Sequence, residues 1–262
     1  VDGVVLCDKE AGITSHDVVA RVRRARGRAV KVGHAGTLDP FATGLLLILL
    51  GRATRIQRFL MALPKAYETV ARFGAVSSTG DRDGEIVETG EVPKGDLVLP
   101  TGRFLQRPPA YSALKVGGRR AYALARRGEA VELAEREVEV RAFVERWREG
   151  ERRAFSIECS SGTYVRSLIA DLGDAYCDEL RRTRIGPFAV READPDRVVS
   201  LLDALGFLPE HRLAGEEARR ASHGVPVPGE ASGPVRLTDE EGLIAIAEPR
   251  DGMLKPTVGF RG

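Results

Sequence analysis

The sequence predicts an α+β fold: a mixed, mainly antiparallel sheet with flanking helices, followed by a small β-barrel-like unit. Three observations predict it. Residues 65–73 and 136–144 alternate at the two-residue period of half-buried strands, two stretches near residues 15–25 and 56–63 repeat apolar residues at helical spacing, and from about Phe207 short strands punctuated by Gly and Pro take over. A chain of 262 residues buries roughly 70–75% of its unfolded surface. That is enough for one sizeable core and a small second domain, here 1–205 and 207–262.

Gly3 to Cys7 reads as a short buried strand, and Thr14 or Ser15 caps a helix with Val18, Val19, Val22 and Ala25 on one face. Gly33 to Gly44, rich in Gly, Thr, Asp and Pro, reads as a loop before the aliphatic strand Leu45–Leu50. Ile56, Phe59, Leu60 and Leu63 define a second helix that Pro64 ends. Lys65–Phe73 is a strand, and Asp81-Arg82-Asp83-Gly84 turns into the next. Arg136–Val144, with Val138, Val140, Ala142 and Val144 on one face, pairs with Arg153–Cys159 across a turn near Gly150. Gly162 to Gly173 turns into a helix with Arg166 near its start. Beyond Phe207 come a helix near Glu216–Ser222 and strands at Val235–Leu237, Leu243–Ala247 and Thr257–Phe260. No internal repeat or long linker separates the two units, so they are expected to pack directly together.

Composition excludes several classes. The apolar fraction of 43% and charged fraction of 30% suit a folded globular chain. The run Leu45–Leu50 is far short of the roughly 18 apolar residues of a membrane span, and Val1-Asp2-Gly3 opens no signal peptide. Three cysteines without CxxC spacing (Cys7, Cys159, Cys177) and four scattered histidines (His16, His34, His211, His223) point to a reducing cytoplasm and no metal. A net charge of +2 conceals clustering: Arg21, Arg23, Arg24, Arg26 and Arg28, then Arg119, Arg120, Arg126 and Arg127, then Arg181, Arg182 and Arg184. Three such clusters could line one polyanion, although each alone also fits a solvated helix face.

The most informative stretch is Gly33-His34-Ala35-Gly36-Thr37-Leu38-Asp39-Pro40. Glycines let backbone approach a ligand, and Pro40 restricts Asp39 to extended geometry, so a carboxylate can be presented from a fixed turn. Asp before Pro is equally a common turn initiator. The segment resembles the catalytic loop of the bacterial tRNA pseudouridine-55 synthases, the TruB type, whose Asp in G-H-x-G-T-L-D-P is the nucleophile. The likeness extends in order through Val4–Lys9 with Gly12-Ile13-Thr14-Ser15-His16, Lys65-Ala66-Tyr67, Pro108–Lys115, Gly162–Leu168 and Leu180–Phe188. Glu10 stands where the family has Pro, and the stretches 93–107 and 173–178 are shorter than is usual there. Past Phe207, Gly215–Ala218, Val235–Leu237 and Gly242–Ala247 resemble, more loosely, an RNA-binding domain of the PUA kind.

The resemblance implies a stand-alone, cofactor-free isomerase that flips uridine 55 out of the T-loop of the tRNA T-arm; the cytoplasm follows from the cysteines, and a monomer is the default expectation. It implies Asp39 as nucleophile, held ionised by Arg166, since burial alone favours a neutral carboxyl. Tyr67 would stack on the uracil and is a candidate for handling the ring proton. Tyr164 would support the Asp39–Arg166 pair, and His34 would fill the vacated stack. Leu180 would wall the pocket, and Lys9 would contact phosphate or support the loop. Two other readings compete: an RNA-binding protein without catalysis, and a guide-RNA-dependent relative working inside a ribonucleoprotein. A small-molecule enzyme is more distant, since no phosphate loop, zinc motif or dinucleotide fingerprint occurs.

Overall fold

The computed structural model describes residues 1–27, 29–109, 115–116, 119–120 and 133–261. Arg28, Ala110–Leu114, Arg126 and Arg127, and the side chains of Lys115, Arg119 and Arg120, lie outside the described residues, so the second arginine cluster and the middle of the Pro108–Lys115 motif are not assessed.

The strands in chain order are β1 (Gly3–Lys9), β2 (Val32–Ala35), β3 (Thr43–Leu50), β4 (Lys65–Phe73), β5 (Ala75–Ser77), β6 (Ile86–Glu88), β7 (Gly102–Gln106), β8 (Lys115–Val116), β9 (Arg119–Arg120), β10 (Arg136–Glu149), β11 (Arg152–Cys159), β12 (Ala175–Ile185), β13 (Phe188–Ala189) and β14 (Asp194–Val199). Ten of them form one sheet in the order β14-β1-β3-β12-β4-β11-β10-β7, with β2 beside β3 and β13 beside β12. Its ladders are antiparallel except at β12 and β3, which meet in parallel over only Arg181↔Thr43 and Arg182↔Gly44. The strand β12 has no counterpart in the sequence reading, yet it joins the two halves of the sheet.

The aliphatic run is buried on both faces: Leu45 to Leu50 are all 0% exposed. Leu46, Ile48 and Leu50 pack with Val18, Val19 and Val22 of the helix Ser15–Arg26. Leu45, Leu47 and Leu49 pack with Ile56, Phe59 and Leu60. Each such side chain contributes about 1.5–3 kcal/mol relative to exposure. Thr14 caps the first helix in a reciprocal capping box with Asp17, whereas Ala25 is exposed, so the apolar face ends at Val22. The second helical stretch is a 3₁₀ turn, Gly51–Ile56, running into a short α-helix, Gln57–Met61.

Two further departures have local causes. Residues 33–35 of the expected loop belong to the strand β2, because His34 and its neighbours pair with Ile48 and the rest of β3. In β10 the register shifts between Val140 and Ala142, a bulge that exchanges the faces. Phe143 therefore enters the core while Val144 stays 44% exposed. The short stretches are ordered: 93–107 ends in β7, and 173–178 turns into β12.

After the helix Leu201–Ala204, a second sheet runs β15 (Glu210–Arg212), β17 (Val235–Asp239), β18 (Gly242–Arg250), β19 (Met253–Gly259) and β16 (Val227–Pro228) in spatial order. The helix Gly215–Ser222 packs on it through Ala218 and Ala221. Ile246 of β18 and Phe260, just past β19, reach into the core beneath β3.

Gly44 stands at the β3–β12 junction with φ of 104°, and an added Cβ would collide with the backbone of Arg182. Gly44→Ala is expected to lower the unfolding free energy by about 2 kcal/mol or more in urea titration; an unchanged midpoint would refute this account of the junction.

Candidate active site

The turn between β2 and β3 carries Asp39, and every backbone carbonyl from residue 36 to 40 is satisfied from within the protein. Arg182 donates to Gly36 O at 3.1 Å and to Thr37 O at 3.3 Å. The Ser15 hydroxyl donates to Leu38 O and accepts from Leu38 N. Ala42 N donates to Asp39 O, and Gly12 N and Lys9 Nζ both donate to Pro40 O. A loop so tied leaves the Asp39 side chain as its presented group, 34% exposed.

Arg166 lies on the short helix Val165–Ala170 and is 3% exposed. Its Nε stands 3.0 Å from Asp39 Oδ2 and its Nη1 3.3 Å from Asp81 Oδ2. Nη1 also donates to Thr79 O at 2.6 Å. One guanidinium thus bridges an accessible carboxylate and a buried one. Asp81 accepts from Thr79 Oγ1 at 2.6 Å and from Asp83 N. Burial pushes its carboxyl above the usual range, against those hydrogen bonds and the Arg166 charge. The sequence reading had Asp81 only as a turn residue, and nothing in its local pattern separates it from Asp83.

Tyr67 on β4 stands opposite Arg182 on β12 and packs with Leu38, Phe41 and Leu180. Burial pushes its phenol up, while Arg182, which hydrogen-bonds it, opposes that shift. Leu180 precedes Arg182 by two and shares its strand face. The structure therefore brings Asp39, Arg166, Tyr67 and Leu180 together around one loop.

The remaining candidates sit further out. His34 lies on β2 with its ring 5.3 Å from that of His16, edge to face. Tyr164 caps the Arg166 helix, its ring 4.8 Å beneath the Arg136 guanidinium. Of the two roles open to Lys9, the geometry has loop support: it is 1% exposed and donates to Glu10 O, Ile13 O and Pro40 O. Burial lowers its ammonium to about 8.

Arg182 corrects the sequence reading. It was counted in a surface cluster but is 1% exposed, with Nε donating to Leu45 O at 2.8 Å. Its neighbour Arg181 pairs with Asp8, and Arg184 with Glu158. In the first cluster Arg21 pairs with Glu10, and Arg23 and Arg26 bond to backbone carbonyls of Val32, Pro195 and Asp196. Of these arginines Arg182 is the buried one, and the others make their contacts at or near the surface. Composition alone does not distinguish a buried guanidinium on a strand from a solvated one.

A family model described as "TruB family pseudouridylate synthase (N terminal domain)" matches residues 23–165. A protein named tRNA pseudouridine synthase B from Thermobifida fusca is 44% identical over 295 aligned positions, covering 100% of this chain and 99% of that one. Another of that name from Aquifex aeolicus is 40% identical, covering 98% of each. Among solved structures, a chain of a Cbf5-Nop10-Gar1 complex superposes with a TM-score of 0.71 at 24% identity, covering 98% of this chain and 84% of that one. At that identity the likeness is one of fold.

Because Asp81 is the more buried of the two carboxylates, its loss removes a partner of Arg166 where solvent cannot take its place. Asp81→Ala is expected to lower the unfolding free energy by about 3 kcal/mol and Asp39→Ala by clearly less, compared in urea. Equal losses would show that the two carboxylates share Arg166 evenly.

Proposed function

The chain belongs to the TruB family of pseudouridylate synthases and is a tRNA pseudouridine synthase; on that premise we propose that its target is uridine 55 of the T-loop and that Asp39 is its nucleophile. The observation that carries the proposal is the 3.0 Å contact between Arg166 and a carboxylate that is still reachable from solvent. A flipped nucleotide would strip water from Asp39, and desolvation favours the neutral acid. A guanidinium, which stays protonated, opposes that and keeps the carboxylate nucleophilic.

The reaction breaks the bond between uracil N1 and the sugar, rotates the base and joins its C5 to the same sugar carbon, releasing the C5 proton. Attack by Asp39 on sugar or base gives a covalent intermediate that holds the two halves together. Tyr67 stacks on the uracil and is the candidate for handling the C5 proton. Leu180 walls the pocket, Tyr164 supports the Asp39–Arg166 pair, and His34 fills the space the base leaves. Lys9 supports the loop. The enzyme works as a monomer in the cytoplasm without cofactor; among the described residues no helix is long and apolar enough to cross a membrane.

Residues 1–205 form the catalytic domain in this reading, and 207–262 an RNA-binding domain of the PUA kind. The T-arm is recognised through shape and phosphates, so affinity falls steeply with salt. A guide-RNA-dependent mode inside a ribonucleoprotein is the alternative reading.

On a T-arm hairpin tritiated at uridine C5, with no guide or protein added, wild type is expected to release tritium. Asp39→Ala should release none while still binding the RNA. Failure of wild type on both the hairpin and full-length tRNA would favour a binding protein. Lys9→Met is expected to leave the slope of log affinity against log salt unchanged, whereas a slope smaller by about one would mean a phosphate contact.

A further inference from the structure

The ion pair between Arg166 and Asp39 requires the backbone around residue 166 to be held to within a fraction of an ångström. Helix propensity does not do this. The helix Val165–Ala170 has six residues, and its cap Tyr164 supplies no side-chain capping bond. The restraint comes from the far edge of the sheet. Gln106, the last residue of β7, is 3% exposed. Its Oε1 accepts from Tyr164 N at 2.8 Å, and its Nε2 donates to Tyr164 O at 3.0 Å. A side-chain amide thus meets both backbone groups of one residue, as a partner strand would, at the point where the ladder of β7 ends. Arg107 O accepts from Ser167 Oγ at 3.3 Å. Arg136, on the adjacent strand, bonds Gly162 O and lies over the Tyr164 ring.

We propose that Gln106 is a positioning residue for the isomerisation, fixing Arg166 against Asp39 through the backbone of Tyr164. The proposal rests on the reading that Arg166 keeps Asp39 reactive. The bonds of Gln106 go to Tyr164 N and O, so its effect on the pair passes through that peptide backbone. A displacement of about 1 Å at a reacting pair costs on the order of a hundredfold in rate. Loss of the clamp should therefore show in the chemical step and leave RNA binding nearly intact.

The test uses the full chain, the C5-tritiated T-arm hairpin and single-turnover conditions. Gln106→Leu removes both bonds, and its rate should fall by about tenfold to a hundredfold, with the hairpin dissociation constant within about twofold of wild type. Gln106→Glu keeps the acceptor for Tyr164 N and regains the donor to Tyr164 O only when its carboxyl is protonated. A buried carboxyl facing a carbonyl titrates above its ordinary range, so the rate of this variant relative to wild type should rise as pH falls. A purely structural role would lower thermal stability without that pH signature. A Gln106→Leu rate within twofold of wild type would overturn the proposal, as would a Gln106→Glu ratio flat with pH; the latter decides the matter if Gln106→Leu does not fold. Silence of wild type would sink the substrate assignment and this proposal together, whereas active wild type with indifferent variants would sink this proposal alone.

Discussion

The guanidinium of Arg182 is the interaction on which the rest of the molecule depends. It lies where β12 and β3 meet over two residue pairs, a narrow and parallel join in an otherwise antiparallel sheet. Removing such a cation from water carries a penalty of several kcal/mol. Here it is offset by carbonyls of Gly36, Thr37 and Leu45 and by the hydroxyl of Tyr67. Those acceptors belong to the loop that carries Asp39, to the strand after it and to the strand that carries Tyr67. One side chain therefore ties the join of the sheet to the geometry of the site.

Arg182 is one of four buried cations around the loop. Lys9 holds the Asp39 turn, and Lys65 donates to Met61 O and Leu63 O beneath it. Burial lowers the Lys65 ammonium, like that of Lys9, to about 8. Arg166 is the fourth, and the one that meets carboxylates directly. Neutral carbonyls satisfy the donors of the other three without cancelling their charge, so the pocket retains a positive field. Arg166 meets both Asp39 and Asp81, so one guanidinium offsets the repulsion between two neighbouring carboxylates.

Much of this arrangement was legible in the sequence. Lys65–Phe73 has the same bounds as β4, the aliphatic run is the doubly buried core of β3, and the loop motif sits over Tyr67 and beside Arg166. The omissions share a cause. β12 carries Arg181, Arg182 and Arg184 and an Asp-Glu pair, so its polarity concealed a central strand. Asp81 acquires its role only through a fold that brings residue 166 to it. The bulge in β10 leaves no trace in composition and moved the buried face from Val144 to Phe143. Gln106 belongs to the same class: its importance lies in a contact 58 residues away.

The packing of Ile246 and Phe260 beneath β3 bears on how the two sheets depend on each other. Arg52 and Arg55, in the turn after β3, donate to the carbonyls of Phe260 and Gly259. Ile246 and Phe260 thus complete a hydrophobic layer that β3 begins, across a separation of 208 residues at the Arg52–Phe260 bond. The large sheet reaches its full stability only with the smaller one in place, and opening either exposes apolar side chains of the other to water.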